Sequence, residues 1–154
     1  MILELILGGA TLGLVGISVL TFIQKKKNDQ IKAESISLLK RYGHLDTTGQ
    51  KTIFTMHEKS WQVLFFHVPA NQDLTVNSKT IWEIRDASKS RLINQTHFLS
   101  SPNPKLVIIY PSTLVIKRYI NENELVFVKY NQPFYNMNLV RHFELEDFLK
   151  GASE

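Results

Sequence analysis

The residues best suited to hold a metal or move a proton near neutral pH are five histidines, His44, His57, His67, His97 and His142. Zinc sites built on a single element space their ligands as HxxxH or HxH, so that two imidazoles share one face. No pair here is spaced that way, and no metal centre is expected from the histidines. His57 sits beside Glu58 in a turn-like stretch and His67 lies in a strand-like run, so packing or surface roles are assigned to all five. The chain contains no cysteine, which removes thiolate nucleophiles, disulfides and sulfur-rich metal sites and fits a reducing compartment. No serine is read as a nucleophile in GxSxG or SxxK, and no glycine-rich phosphate loop occurs; Gly43 and Gly49 read as turn residues.

Two further groupings have chemical potential. Aromatic residues gather in the β-prone stretches (Phe54, Trp61, Phe65, Phe66, Trp82, Tyr110, Tyr119, Phe127, Tyr130, Phe134 and Tyr135), interleaved with Lys117, Arg118 and Lys129. Such a surface could stack single-stranded nucleic acid; filling a β-rich core is the simpler use of most of these rings. Asn121-Glu122-Asn123-Glu124 sets two carboxylates two residues apart, but a calcium loop needs more acids and a glycine, so a solvated turn is expected.

Any such group must be positioned by the elements around it. Residues 29–42 carry Ile31, Leu38, Leu39 and Tyr42 at helical spacing, and Gly43 is placed to end that helix. Residues 44–50 read as turn, 52–57 and 61–68 as a strand pair, 69–73 as a loop, and 74–84 as containing a further strand. In that last strand Ile81 and Glu83 share one face and Trp82 and Ile84 the other. From 87 to 99 the period turns helical through Leu92, Ile93, Thr96 and Leu99, with Asp86 or Ser88 as the cap. The run KLVIIY at 105–110 is apolar throughout and reads as a central strand buried on both faces. Strands are expected at 114–119 and 125–130, and a short helix closes the segment 139–149. The fold class is therefore α/β (α+β): one domain with a central mixed sheet flanked by helices.

The order helix, three strands, helix, strand over residues 30–110 resembles the core of the restriction-endonuclease-like, or PD-(D/E)xK, nucleases. The resemblance implies that fold, Mg²⁺- or Mn²⁺-dependent phosphodiester chemistry, Asp73 as the first acid, and Glu83-Ile84-Arg85 in WEIR as the acid-x-lysine element. Arg85 stands where the family has lysine. An arginine stays protonated and steadies phosphate charge but cannot accept a proton, so the implied site is degenerate.

The N-terminal run 2–23, ILELILGGATLGLVGISVLTFI, has a single charge, Glu4. As a helix at about 1.5 Å per residue it spans roughly the 30 Å of a bilayer's hydrocarbon core. No basic side chain precedes it, whereas Lys25, Lys26 and Lys27 follow it, and Thr21-Phe22-Ile23 is a poor cleavage site. The positive-inside rule then gives an uncleaved single-pass anchor, with the N-terminus outside and the rest in the cytoplasm. Residues 1–27 form the anchor and its basic stop, and 28–154 the cytoplasmic domain. Gly9 and Gly13 form a GxxxG pair, with Gly16 further along, which lets two such helices associate as a homodimer. The lysines can also hold anionic lipid heads, at about 1 kcal/mol each.

Of the +4 formal charge, the lysine run supplies three; without Lys25–Lys27 and Glu4, 15 basic residues face 13 acidic ones. That near-balance does not demand a nucleic-acid partner. The expected function is accordingly a membrane-anchored protein-interaction or assembly module, without a cofactor, whose partners are the bilayer and another protein. The alternative is a nuclease-like domain using Mg²⁺ or Mn²⁺. The full chain is expected to stay with membranes through an alkaline carbonate wash, and a C-terminal tag to be unreachable from outside intact cells. Release into the wash, or labelling from outside, overturns this placement.

Overall fold

The apolar run at 105–110 organises the fold. In a computed structural model, which describes residues 2–111, 113 and 115–153 and the side chains from Ile17 onward, this run is the strand β7 (Lys105–Pro111). Its residues alternate between two cores: Leu106 and Ile108 point into one, Val107 and Ile109 into the other, and all four are fully buried. β3 (Lys59–Val68) and β10 (Met137–Arg141) flank it in parallel, pairing Phe65 with Ile108 and Val140 with Ile108. β2 (Thr52–Met56) and β1 (His44–Asp46) extend the sheet antiparallel, giving the order β1-β2-β3-β7-β10.

One face of this first sheet is covered by helices. α1 (Ile2–Tyr42) lays Leu39 and Ser35 against it, and α3 (Leu145–Ser153) adds Leu145, Phe148 and Leu149. The other face is covered by a second sheet, of order β6-β5-β4-β8-β9. Its strands are β4 (Asp73–Val76), β5 (Ile81–Arg85), β6 (Ser90–Asn94), β8 (Ile116–Asn121) and β9 (Glu124–Phe127). Leu74, Val76, Trp82, Ile84 and Ile116 project from it towards Phe66, Val107, Ile109 and Leu139. The rings of Phe66 and Trp82 meet edge to face at 5.2 Å.

The fold is thus α+β with two mixed sheets, and three expectations need correction. The single central sheet flanked by helices is instead a helix layer, a sheet and a second sheet. The helix expected at 87–99 is β6 followed by the single turn α2 (Thr96–Leu99), so the helix, three strands, helix, strand order of the nuclease core is absent. Asp86 does accept the N–H groups of Ser88 and Lys89, at 2.8 and 2.7 Å, as a helix cap would. It does so in a hairpin turn closed by Asp86 N–H to the Lys89 carbonyl. Residues 44–50 are also not all turn: β1 pairs His44 with Thr55. The alternation expected at 81–84 is present, with Trp82 and Ile84 buried.

α1 runs without a break through Lys25–Lys27 into the core. Among the described residues no helix is long and apolar enough to cross a membrane. Most of the expected span, and the association face at Gly9, Gly13 and Gly16, lies outside the residues whose side chains are described.

Gly43 ends α1, donating its N–H to the Leu39 carbonyl at 2.9 Å, but not through the left-handed conformation expected of a helix-ending glycine. A Cβ there would run into the Thr55 carbonyl and lie 2.9 Å from the Phe54 ring, so glycine is required by the closeness of β2. Gly49 has no neighbour nearer than 3.9 Å. Gly43→Ala is expected to destabilise by about 1–3 kcal/mol, and Gly49→Ala by much less, in urea unfolding followed by tryptophan fluorescence; equal effects would refute the close-approach account.

Candidate functional site

Pleat alternation decides where the family-suggested residues go. Asp73 opens β4 rather than lying in a loop, and it faces Arg85 across the β4–β5 ladder, while Glu83 faces Thr75. Asp73, Glu83 and Arg85 therefore share the outward face of the second sheet. Both Glu83 oxygens are engaged. Oε1 accepts from the Ser90 hydroxyl at 2.5 Å and Arg85 Nε at 3.1 Å, and Oε2 accepts from Asn77 Nδ2 at 3.3 Å. These bonds, the Ser90 hydroxyl foremost, hold the carboxyl below the ordinary glutamate range despite its partial burial. Asp73 Oδ2 lies 3.8 Å from Lys117 Nζ. The three residues are neighbours in an ion-pair lattice, and among the described residues no three His, Asp or Glu side chains are grouped to hold a metal.

Lys105 is a second candidate, because it is buried and charged. Its ammonium donates to the Ser101 carbonyl at 2.7 Å, the Ser101 hydroxyl at 3.0 Å and the Asn103 carbonyl. All three donors are spent on the 101–104 loop, so Lys105 clamps that loop and has no donor left for a ligand. Ser37 and Lys40 have the SxxK spacing of a serine nucleophile and its base, and both are exposed on α1.

Two concavities lie where an open α/β sheet usually binds ligands, outside the carboxyl ends of its parallel strands. β3, β7 and β10 all end beside the middle of α1. On one flank of that helix a cleft of about 510 Å³ is lined by Gln24, Lys27, Asn28, His67, Asn71 and Pro111 among others. Asn28 Nδ2 lies 3.0 Å from His67 Nε2; the amide donates, which leaves the neutral ring's proton on Nδ1. His67 meets Tyr110 edge to face at 5.5 Å. On the other flank a groove of about 440 Å³ runs between Gln30, Glu34, Ser37 and Arg41 of α1 and His142. His142 Nδ1 is buried and has no hydrogen-bond partner.

Neither histidine site was legible in the sequence. His67 and Asn28 are 39 positions apart, and only the antiparallel run of α1 over β3 brings them together. The ring-stacking platform is divided by burial: Phe54, Trp61, Phe66, Trp82 and Phe134 are core, while Tyr119, Phe127 and Tyr135 are exposed.

Both rings are pushed below the usual histidine range. Burial is the first cause in each; Arg91 adds to it at His67, whereas Glu34 and the Pro111 carbonyl oppose it at His142. A lowered folded-state pKa means that the unfolded chain binds more protons between that value and about 6.5. The two histidines therefore leave stability intact above about pH 6.5 and remove it as pH falls through that window. His67→Gln with His142→Gln is expected to flatten the decline of the thermal midpoint between about pH 6.5 and 5; an unchanged slope contradicts the desolvation of these rings, which is partial at the exposed His67. In comparisons with known proteins, the chain matches no family model, and none of the curated proteins or solved structures matches it significantly.

Proposed function

We propose that the chain is a single-pass membrane protein whose domain, residues 28–154, is held against the cytoplasmic leaflet as a protein-interaction or assembly module. The observation that carries this reading is the outward face of the second sheet. Register puts Leu92 of β6, Tyr119 of β8 and Leu125 and Phe127 of β9 on that face, and Leu92 and Phe127 are 64% and 71% exposed. Between them run Glu83–Arg85 and Asp73–Lys117. Large apolar side chains left exposed on one sheet face suit recognition of another protein. The alternative, a degenerate nuclease-like site, would use the same face through Asp73, Glu83 and Arg85.

A helix that passes unbroken from the lysine run into the core supports the membrane-apposed part of the proposal. Ser35 and Leu39 are buried at 4% and 0% exposure, so the domain is fixed to the helix rather than tethered by a flexible linker. Holding a binding face at constant height above a bilayer raises the effective concentration of membrane partners without any chemistry.

A photoreactive side chain placed at Leu92 in the full chain, in its native membrane, is expected to give a discrete protein adduct. Phe127→Asp should abolish that adduct while changing stability by no more than about 0.5 kcal/mol. No adduct from position 92, or Mg²⁺- or Mn²⁺-dependent cleavage of nucleic acid that is lost in Glu83→Ala, overturns the proposal.

A further inference from the structure

The cleft at the carboxyl ends of β3 and β7 lies in register with the expected membrane surface. Lys27 is four residues beyond Ile23, the last apolar residue of the N-terminal run, which is about 6 Å along a helix. The polar headgroup layer is roughly 5–8 Å deep on each side of the hydrocarbon. A side chain at Lys27 therefore falls within that layer, as does the cleft it lines.

The chemistry of the lining is one-sided. Lys27 brings an ammonium, Gln24 and Asn71 bring amide donors, and His67 carries its neutral-state proton on Nδ1 because Nε2 accepts from Asn28. Arg91, on β6, adds positive potential at His67. Asp29, next on the helix, lies near enough to Tyr110 on β7 to act on its hydroxyl, but it does not line the cleft. No carboxylate side chain is among the described lining residues. A concave site of about 510 Å³ with cationic and amide donors suits one tetrahedral anion and the polar group esterified to it.

We infer that this cleft binds the phosphate of an anionic phospholipid headgroup from the leaflet beside it, between Lys27 and Asn28 of α1, His67 near the end of β3 and Asn71 of the turn that follows. This deepens the membrane-anchored reading and rests on it. Such a lipid would lock the helix against the strand ends at the point where anchor and domain meet, setting the tilt of the outward sheet face relative to the bilayer.

The test uses the full chain in a neutral detergent, with the His67 ring resonances followed during titration with a short-chain phosphatidylglycerol. A saturable shift is expected, with none from the matching phosphatidylcholine. Lys27→Gln is expected to weaken binding by more than tenfold, whereas Lys26→Gln, which removes the same charge without lining the cleft, should do so by no more than the roughly fivefold of a diffuse surface charge. Equal effects of the two substitutions, or no saturable shift, overturn the inference. Saturation by inorganic phosphate or glycerol 3-phosphate at lower concentration than the lipid assigns the cleft to a soluble phosphate and overturns the lipid source. Carbonate extraction of the same chain from cells tests the anchor separately: membrane retention without a His67 response refutes the headgroup site alone, and release refutes the anchor.

Discussion

Burial of β7 on both faces is the constraint from which the architecture follows. A strand with an unbroken apolar stretch, here Leu106 to Ile109, has no face to give to water, so each side needs its own cover. α1 and α3 supply one cover and the second sheet the other. Parallel pairing of β7 with β3 and β10 adds a second condition, because parallel neighbours can be joined only by crossovers of a dozen or more residues. Helices usually fill such crossovers. Here the first holds β4, β5, β6 and the single turn α2, and the second holds β8 and β9. The two crossovers find each other through the parallel β4–β8 pair, so the covering sheet is made wholly of connecting chain.

That arrangement also collects the chemistry. All three parallel strands deliver their carboxyl ends to the stretch of α1 around residues 24–41, and the two histidine-bearing concavities lie on either side of it. Lys32 over the Phe65 ring at 5.5 Å and Tyr42 bonded to Glu146 at 3.3 Å fix the helix further along its length. A helix held at so many points transmits its orientation to the sheet as a rigid body, which is the physical basis for treating the N-terminal segment and the domain as one mechanical unit.

The outward face of the second sheet holds Glu83 in a lattice of its own neighbours. Oε1 of Glu83 accepts from Ser90 and Arg85 on the sheet, and Oε2 from Asn77 in the turn after β4. Those bonds favour the ionised form and its fixed rotamer. Around this lattice Leu92, Tyr119, Leu125 and Phe127 stay exposed.

Local chemistry by itself determined the apolar N-terminal run and the lysines after it, the helix through residues 29–42, the doubly buried strand at 105–110 and the facing of Ile81 to Ile84, because each is written in a period or a run that needs no distant partner. The tertiary structure decided the rest. Leu92, Ile93, Thr96 and Leu99 fit a helical period, yet residues 90–94 are a strand, since β5 offers a complete ladder in which Ile93 meets Trp82. Asp86 makes the hydrogen bonds of a helix cap inside a hairpin, so its identity could not distinguish the two. Asp73, Glu83 and Arg85 share a face only through the pairing of β4 with β5, and Ser90 and Asn77, which occupy Glu83, come from outside the motif that the family likeness suggested. The cleft between Asn28 and His67 exists only because an antiparallel helix is laid over β3, and a contact across that sequence distance leaves no local trace.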